Sequence, residues 1–197
     1  MMSSSEIYTT IAAPSEGLYK EKGSKFLAFA YPVSTEDEIK NLLQDLRKKF
    51  FDARHHCYAY RLGPDGATWR VNDNGEPSST AGKPIFGQLI SFGLSDVLVV
   101  VIRYFGGIKL GVSGLINAYR TAARDALEHA QTVEKQVREN ITLEYTYEQT
   151  NAVMKAIRDL QAEIIDQSFT GGPLPCRIVV AILPSRAKAL LSVLDPA

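Results

Sequence analysis

An α+β fold in two parts is what this sequence predicts, on three observations. Short strand-like apolar runs alternate with helical stripes. Two of the runs are joined by a tight Gly-Pro turn as an antiparallel hairpin. A polar stretch over 131–138 then separates a first pattern of this kind from a second, smaller one. The boundary falls near residue 134, giving parts 1–134 and 135–197.

The first strand reads Ser-Lys-Phe-Leu-Ala-Phe-Ala-Tyr-Pro-Val over 24–33. Thr35 with Glu38 then forms a capping box, supplying acceptors to backbone N–H groups that a helix start leaves without partners. The helix it opens carries Ile39, Leu42, Leu43, Leu46 and Phe50 on one face and leaves Lys40, Asp45, Arg47 and Lys48 to solvent. A second strand spans 53–62, and Gly63-Pro64-Asp65-Gly66 turns it into a third over 68–71. Pro84 lacks a donor N–H and so belongs in a first helical turn. Ile85, Leu89 and Phe92 follow on one face, with Thr80 or Gly82 as N-cap. Leu98 to Ile102 reads as a buried strand. After a glycine-rich loop, Leu115, Ile116, Tyr119, Ala122, Ala123 and Ala126 mark a long helix ending near His129.

Residues 131–138 read as the link. Beyond it Ile141, Leu143, Tyr145 and Tyr147 alternate with polar residues, the period of a strand with one wet face. Thr146 and Gln149 cap a helix carrying Val153, Met154, Ile157 and Leu160. Strands at 162–169 and 176–183 join through Thr170-Gly171-Gly172-Pro173, and Ser185 caps a last helix through Leu194. The order is strand, helix, strand, strand, helix.

A chain of 197 residues with 45% apolar and 22% charged side chains has material for a real core. No run approaches the ~18 apolar residues of a membrane span, and Met1 to Glu6 is polar without a signal-peptide stretch, so the expected location is the cytoplasm. Cys57 and Cys176 fall in different parts and lack a metal-ligand spacing. Buried reduced thiols are expected, with no metal site and no cofactor motif. The 22 basic side chains balance 22 acidic ones, so binding to nucleic acid requires a local basic patch. Lys83, Arg103, Lys109 and Arg120 are the cations placed to form one.

The chemistry-bearing residues concentrate in two loops. The first reads Asp-Asn-Gly-Glu-Pro-Ser-Ser-Thr-Ala-Gly-Lys-Pro over 73–84, the second Arg-Tyr-Phe-Gly-Gly-Ile-Lys-Leu-Gly-Val-Ser-Gly over 103–114. Each ends where a helix begins, and free amides at a helix start favour anions. Gly106, Gly107, Gly111, Ser113 and Gly114 surround Lys109, and Ser79 and Thr80 precede the other helix. Gly106 to Gly111 has the Walker A spacing, but Val112 stands where the lysine should, which excludes that triphosphate loop. The competing reading is a tight strand-to-helix turn with Lys109 in water. Asp73 and Glu76, beside hydroxyls, offer acid-base or metal chemistry, against a turn at Asn74-Gly75 and simple capping.

Neighbouring strand residues face opposite ways, so His56 and Cys57 do not readily form a nucleophile-base pair; His55 and Cys57 share a face, but no third member is identifiable, and Cys57 with Ala59 is expected to face the core. Arg54, His56, Tyr58 and Tyr60 would share the other face, either stacking bases or packing. Tyr104 and Phe105 either set an aromatic beside the glycine loop or close the core. Arg103, emerging from the apolar run, must reach solvent, a phosphate, or a carboxylate such as Asp73 or Glu76 in an internal ion pair.

The two loops together resemble the signature of the IMPACT/YigZ family. The resemblance continues through Lys-Gly-Ser-Lys-Phe (22–26) and His-His-Cys-Tyr-Ala-Tyr-Arg (55–61), covering most of 6–130, and the tail after 138 is similar to the small second domain of bacterial members. It implies a first domain like the second domain of ribosomal protein S5 and a ferredoxin-like second, here without its fourth strand. Both resemble domains of elongation factor G, which implies RNA or the ribosome as partner. The eukaryotic relatives, linked to translational control, carry an extra domain that has no counterpart in this sequence. Matching members usually have glycine where this chain has Ser79 and Ser113, so a positive φ at either position would strain the serine.

Two functions follow from these readings. One is a non-enzymatic, translation-linked protein binding RNA or the ribosome through both loops, with Lys83, Arg103, Lys109 and Arg120 against phosphate. The other is an enzyme or sensor for a small phosphorylated or carboxylated metabolite in the same crevice, with Asp73, Glu76 and His56 as acid-base candidates.

Overall fold

The computed structural model describes residues 6–169 and 171–194. These form a mixed α/β structure of several sheets and five α-helices, which divides into two compact units. One unit is Tyr8–Lys135, and the other joins residues before Tyr8 to those from Gln136 onward.

In the larger unit, β1 (Ile7–Ile11) is followed by β2 (Ser15–Glu21), β3 (Ser24–Pro32), α1 (Glu36–Lys49), β4 (His55–Leu62) and β5 (Thr68–Asn72). Then come α2 (Gly82–Ser91), β6 (Val97–Tyr104), α3 (Gly111–Glu128) and β7 (Thr132–Gln136). The main sheet is antiparallel in the order β2-β3-β6-β4-β5. Its centre, β6, is buried on both faces, which is why Val-Leu-Val-Val-Val-Ile is apolar at every position. Val97, Val99 and Val101 pack with Cys57, Ala59 and the buried faces of α2 and α3. Leu98, Val100 and Ile102 pack with Tyr58, Tyr60 and the Ile39–Leu46 stripe of α1. The face bearing His56, Tyr58 and Tyr60 is therefore covered by α1, and its tyrosines pack instead of stacking bases.

The capping of α1 follows the expected box with a shift of one residue. Thr35 Oγ1 accepts from the Glu38 N–H at 3.2 Å, while the Glu38 carboxylate accepts from Ser34 at 2.7 Å. The stretch 131–138 is not a plain link, because it contains β7, which pairs with β1 in a two-stranded sheet. Neither β1 nor β2 follows from the apolar pattern. Strand β2 alternates exposed and half-buried positions and is held by Ser15 Oγ donating to the Ala126 carbonyl and by the Asp125 carboxylate accepting from the Leu18 N–H.

The smaller unit contains β8 (Glu139–Tyr145), a 3-10 turn (Tyr147–Gln149), α4 (Thr150–Asp159), β9 (Glu163–Phe169), β10 (Cys176–Ile182) and α5 (Pro184–Leu191). Its antiparallel sheet runs β8-β10-β9, and Leu143, Tyr145, Ile178 and Val180 pack against Val153, Ile157 and Leu190. Thr146 and Gln149 form their capping box on the 3-10 turn that leads into α4. Three expectations change here. Strand β8 stops at Tyr145, and α5 ends at Leu191 with Leu183 as N-cap. Ser185 does not cap; its N–H donates to the Glu6 carboxylate at 2.7 Å. Thr170 lies outside the described residues.

Candidate anion and nucleic-acid interface

The 73–82 loop is closed by its own carboxylates. Asp73 Oδ2 accepts from the Ser79 N–H at 2.8 Å, and Oδ1 accepts from Ala81 at 3.0 Å and Gly82 at 2.8 Å. The anion that the start of α2 attracts is thus the protein's own Asp73, which caps the helix from outside while Ala81 occupies the N-cap position. Neither Thr80 nor Gly82 performs that role. Thr80 is buried and gives its hydroxyl to the Pro77 carbonyl at 2.7 Å. Ser79 holds φ at +65°, a left-handed conformation that suits glycine, whereas Ser113 lies within α3 and is not strained.

Beneath this loop Glu76 and Arg103 make a buried ion pair of 2.7 Å, with side chains 4% and 7% exposed. Of the destinations open to Arg103, the internal carboxylate is the one it reaches. Tyr119 donates to the same Glu76 oxygen at 2.7 Å, and burial, with Cys57 and Glu76 adding to it, holds the phenol far above its ordinary range. Burial likewise pushes the Cys57 thiol up to about 12, only partly opposed by its contact with Tyr119. Cys57 is a buried thiol that donates to the Asp73 carbonyl at 2.9 Å and lies 3.4 Å from Tyr119 Oη. His56 is buried on the α1 side, and burial together with Arg47 lowers its pKa. Asp73 and Glu76 are thus engaged by the protein's own donors, and His56 lies under α1. Among the described residues no group of three or more His, Cys, Asp and Glu is arranged to hold a metal ion.

The 105–114 loop is built differently. Gly106 lies so close to the 22–25 turn that a Cβ would stand 1.9 Å from the Gly23 carbonyl carbon, and its N–H donates to Ser24 Oγ at 3.1 Å. Beyond this anchor the loop faces outward. Gly107 and Gly111 adopt φ of +89° and +73° with open space around them, and α3 begins at Gly111 without a side-chain cap. Lys109 and Ser113 are exposed, Gly114 is half-buried, and Phe105, Ile108 and Val112 are more than half exposed. Lys83 on α2 and Arg120 on α3 are also exposed, on helices that pack against each other.

Beside this loop a cleft of about 550 Å³ is lined by Asp52, Arg54, His55, Arg103, Tyr104 and Phe105. Tyr104 donates its hydroxyl to Asp52 at 2.7 Å, and Phe105 points outward instead of closing the core. Asp52 has no sequence signal, and His55 stands out only as part of the His-His-Cys segment, since the cleft forms only when the approach to β4 lies beside the end of β6.

Residues 22–127, which contain all four motif segments and the whole of this region, match the model of the Impact N-terminal domain. The chain belongs to the IMPACT family. The IMPACT family member YigZ of Escherichia coli is 32% identical over 160 residues, covering 80% of this chain and 78% of its own. YvyE of Bacillus subtilis, another IMPACT family member, is 39% identical over 130 residues, or 66% of this chain; the match spans 60% of that relative's length. A crystal structure of a hypothetical protein superposes on 95% of this IMPACT family chain, and on 92% of its own, with a TM-score of 0.76 at 30% identity.

Proposed function

We propose that this IMPACT family chain is a translation-linked, cytoplasmic binding protein that engages RNA or the ribosome through its 105–114 loop. The reading joins family membership to the folds the family resemblance implies, an S5-like first domain and a ferredoxin-like second, both akin to domains of elongation factor G. One observation carries it. The amides at the start of α2 are consumed by Asp73, whereas the start of α3 has no side-chain cap, open glycines at 107 and 111, and an exposed Lys109. In a chain with no net charge, attraction to phosphate is local, and exposed Lys83 and Arg120 add to it. Arg103 contributes through the loop's framework and not as a free cation.

Co-sedimentation with ribosomes, measured at about 50 and 200 mM salt, tests this. The expected result is retention at low salt that weakens at high salt and falls for Lys109→Ala. Absence of salt-sensitive retention removes the reading. The metabolite reading keeps one supporting observation, since a cleft of about 550 Å³ lies within the roughly 300–1,000 Å³ range of small-ligand sites. It predicts a thermal shift with particular phosphorylated or carboxylated compounds and none with RNA.

A further inference from the structure

We infer that the cleft beside the 105–114 loop is a subsite for one unstacked nucleotide of single-stranded RNA. The inference rests on the RNA-binding reading and specifies where a base is held, which the loop amides alone do not provide. Phe105 is 57% exposed, and the Arg103 guanidinium lies over its ring, 5.6 Å from the centroid. That guanidinium is itself fixed, by Glu76 at 2.7 Å and by the Phe26 ring at 5.5 Å. An aromatic ring backed by an immobile cation and bare over more than half its surface is a preorganised stacking platform.

The polar groups around the platform match the rest of a nucleotide. Arg54 is exposed and free to meet a phosphate. His55 Nδ1 lies 2.9 Å from the Asn74 carbonyl, and because a carbonyl only accepts, Nδ1 carries the hydrogen and Nε2 is left for a ligand. Arg103 Nε is buried with no hydrogen-bond partner, an uncommon state for a donor, on a side chain that lines the cleft. Asp52 is the acid of the cleft. It disfavours a bare phosphate there and offers an acceptor to a ribose hydroxyl, the group that separates RNA from DNA.

Fluorescence anisotropy with the full chain and labelled oligouridylate of about ten nucleotides tests the inference, with the deoxy oligomer and uridine monophosphate as competitors. Phe105→Ala is expected to weaken binding about ten-fold, Phe105→Trp to retain it, and Arg54→Gln to weaken it, with the deoxy oligomer competing less well than the ribo-oligomer. Circular dichroism of each variant checks the fold. If Phe105→Ala and Arg54→Gln bind like the parent while Lys109→Ala is weaker, the cleft inference is overturned and the loop reading stands. If the parent retains no oligomer, both fall. If the monophosphate competes as strongly as the oligomer, the cleft serves a free metabolite and the inference is overturned.

Discussion

Arg103 and Glu76 meet at 2.7 Å inside the larger unit, and this pair ties the end of the central strand to the middle of the 73–82 loop. Removing one member leaves a buried charge without its partner, a loss of about 3–5 kcal/mol. Glu76→Ala is therefore expected to lower the urea midpoint strongly. The double variant Glu76→Leu, Arg103→Met should lose much less than the sum of the single changes, which a double-mutant cycle reads directly.

Asp73 satisfies three amides from a position six to nine residues away. Asp73→Ala is expected to cost about 1–2 kcal/mol and to accelerate hydrogen exchange at Ser79, Ala81 and Gly82. Unchanged exchange at those amides would show that the carboxylate does not cap α2.

Ser79 is left-handed at φ +65°, where a Cβ is unfavourable. Ser79→Gly is expected to raise stability by up to about 1 kcal/mol, the relief of strain exceeding the added freedom of the unfolded chain. A thermal melt in which glycine destabilises would contradict this.

Two pH limbs follow from groups held neutral. His56 is lowered from 6.5 by burial, then by Arg47 and His55, while the Phe50 carbonyl opposes the shift. Its stabilising contribution is present above the unfolded value and is lost as pH falls through the folded one, because the unfolded chain then takes up the proton first. Cys57 is raised from 9.0 to about 12 by burial, so its contribution is complete below pH 9 and lost as pH rises toward 12. Melting temperatures across pH should fall at both ends, and His56→Phe should flatten the acid limb.

How much of this was legible in the sequence depended on the range over which each feature is encoded. The Thr35–Glu38 box, the helical stripes and the opposed faces of Cys57 and His56 are local, and periodicity exposed them. Strands β1, β2 and β7 were not visible. Their residues are largely polar or half-buried, and β1 finds its partner more than a hundred residues away. Asp73 stands out in the sequence, but a carboxylate capping across six to nine residues has no fixed spacing to recognise. Arg103 and Glu76 both stand out in the sequence as well. Whether they met each other or a ligand was a matter of tertiary geometry.

One helix start is filled from within, and on the proposed reading the other takes the anion. Backbone amide shifts followed during titration with a short oligoribonucleotide at low salt test this most directly. Shifts are expected at Gly107, Gly111, Val112 and Ser113, with Ser79, Ala81 and Gly82 unmoved. Shifts confined to Ser79, Ala81 and Gly82, or none in the 105–114 loop, would contradict it.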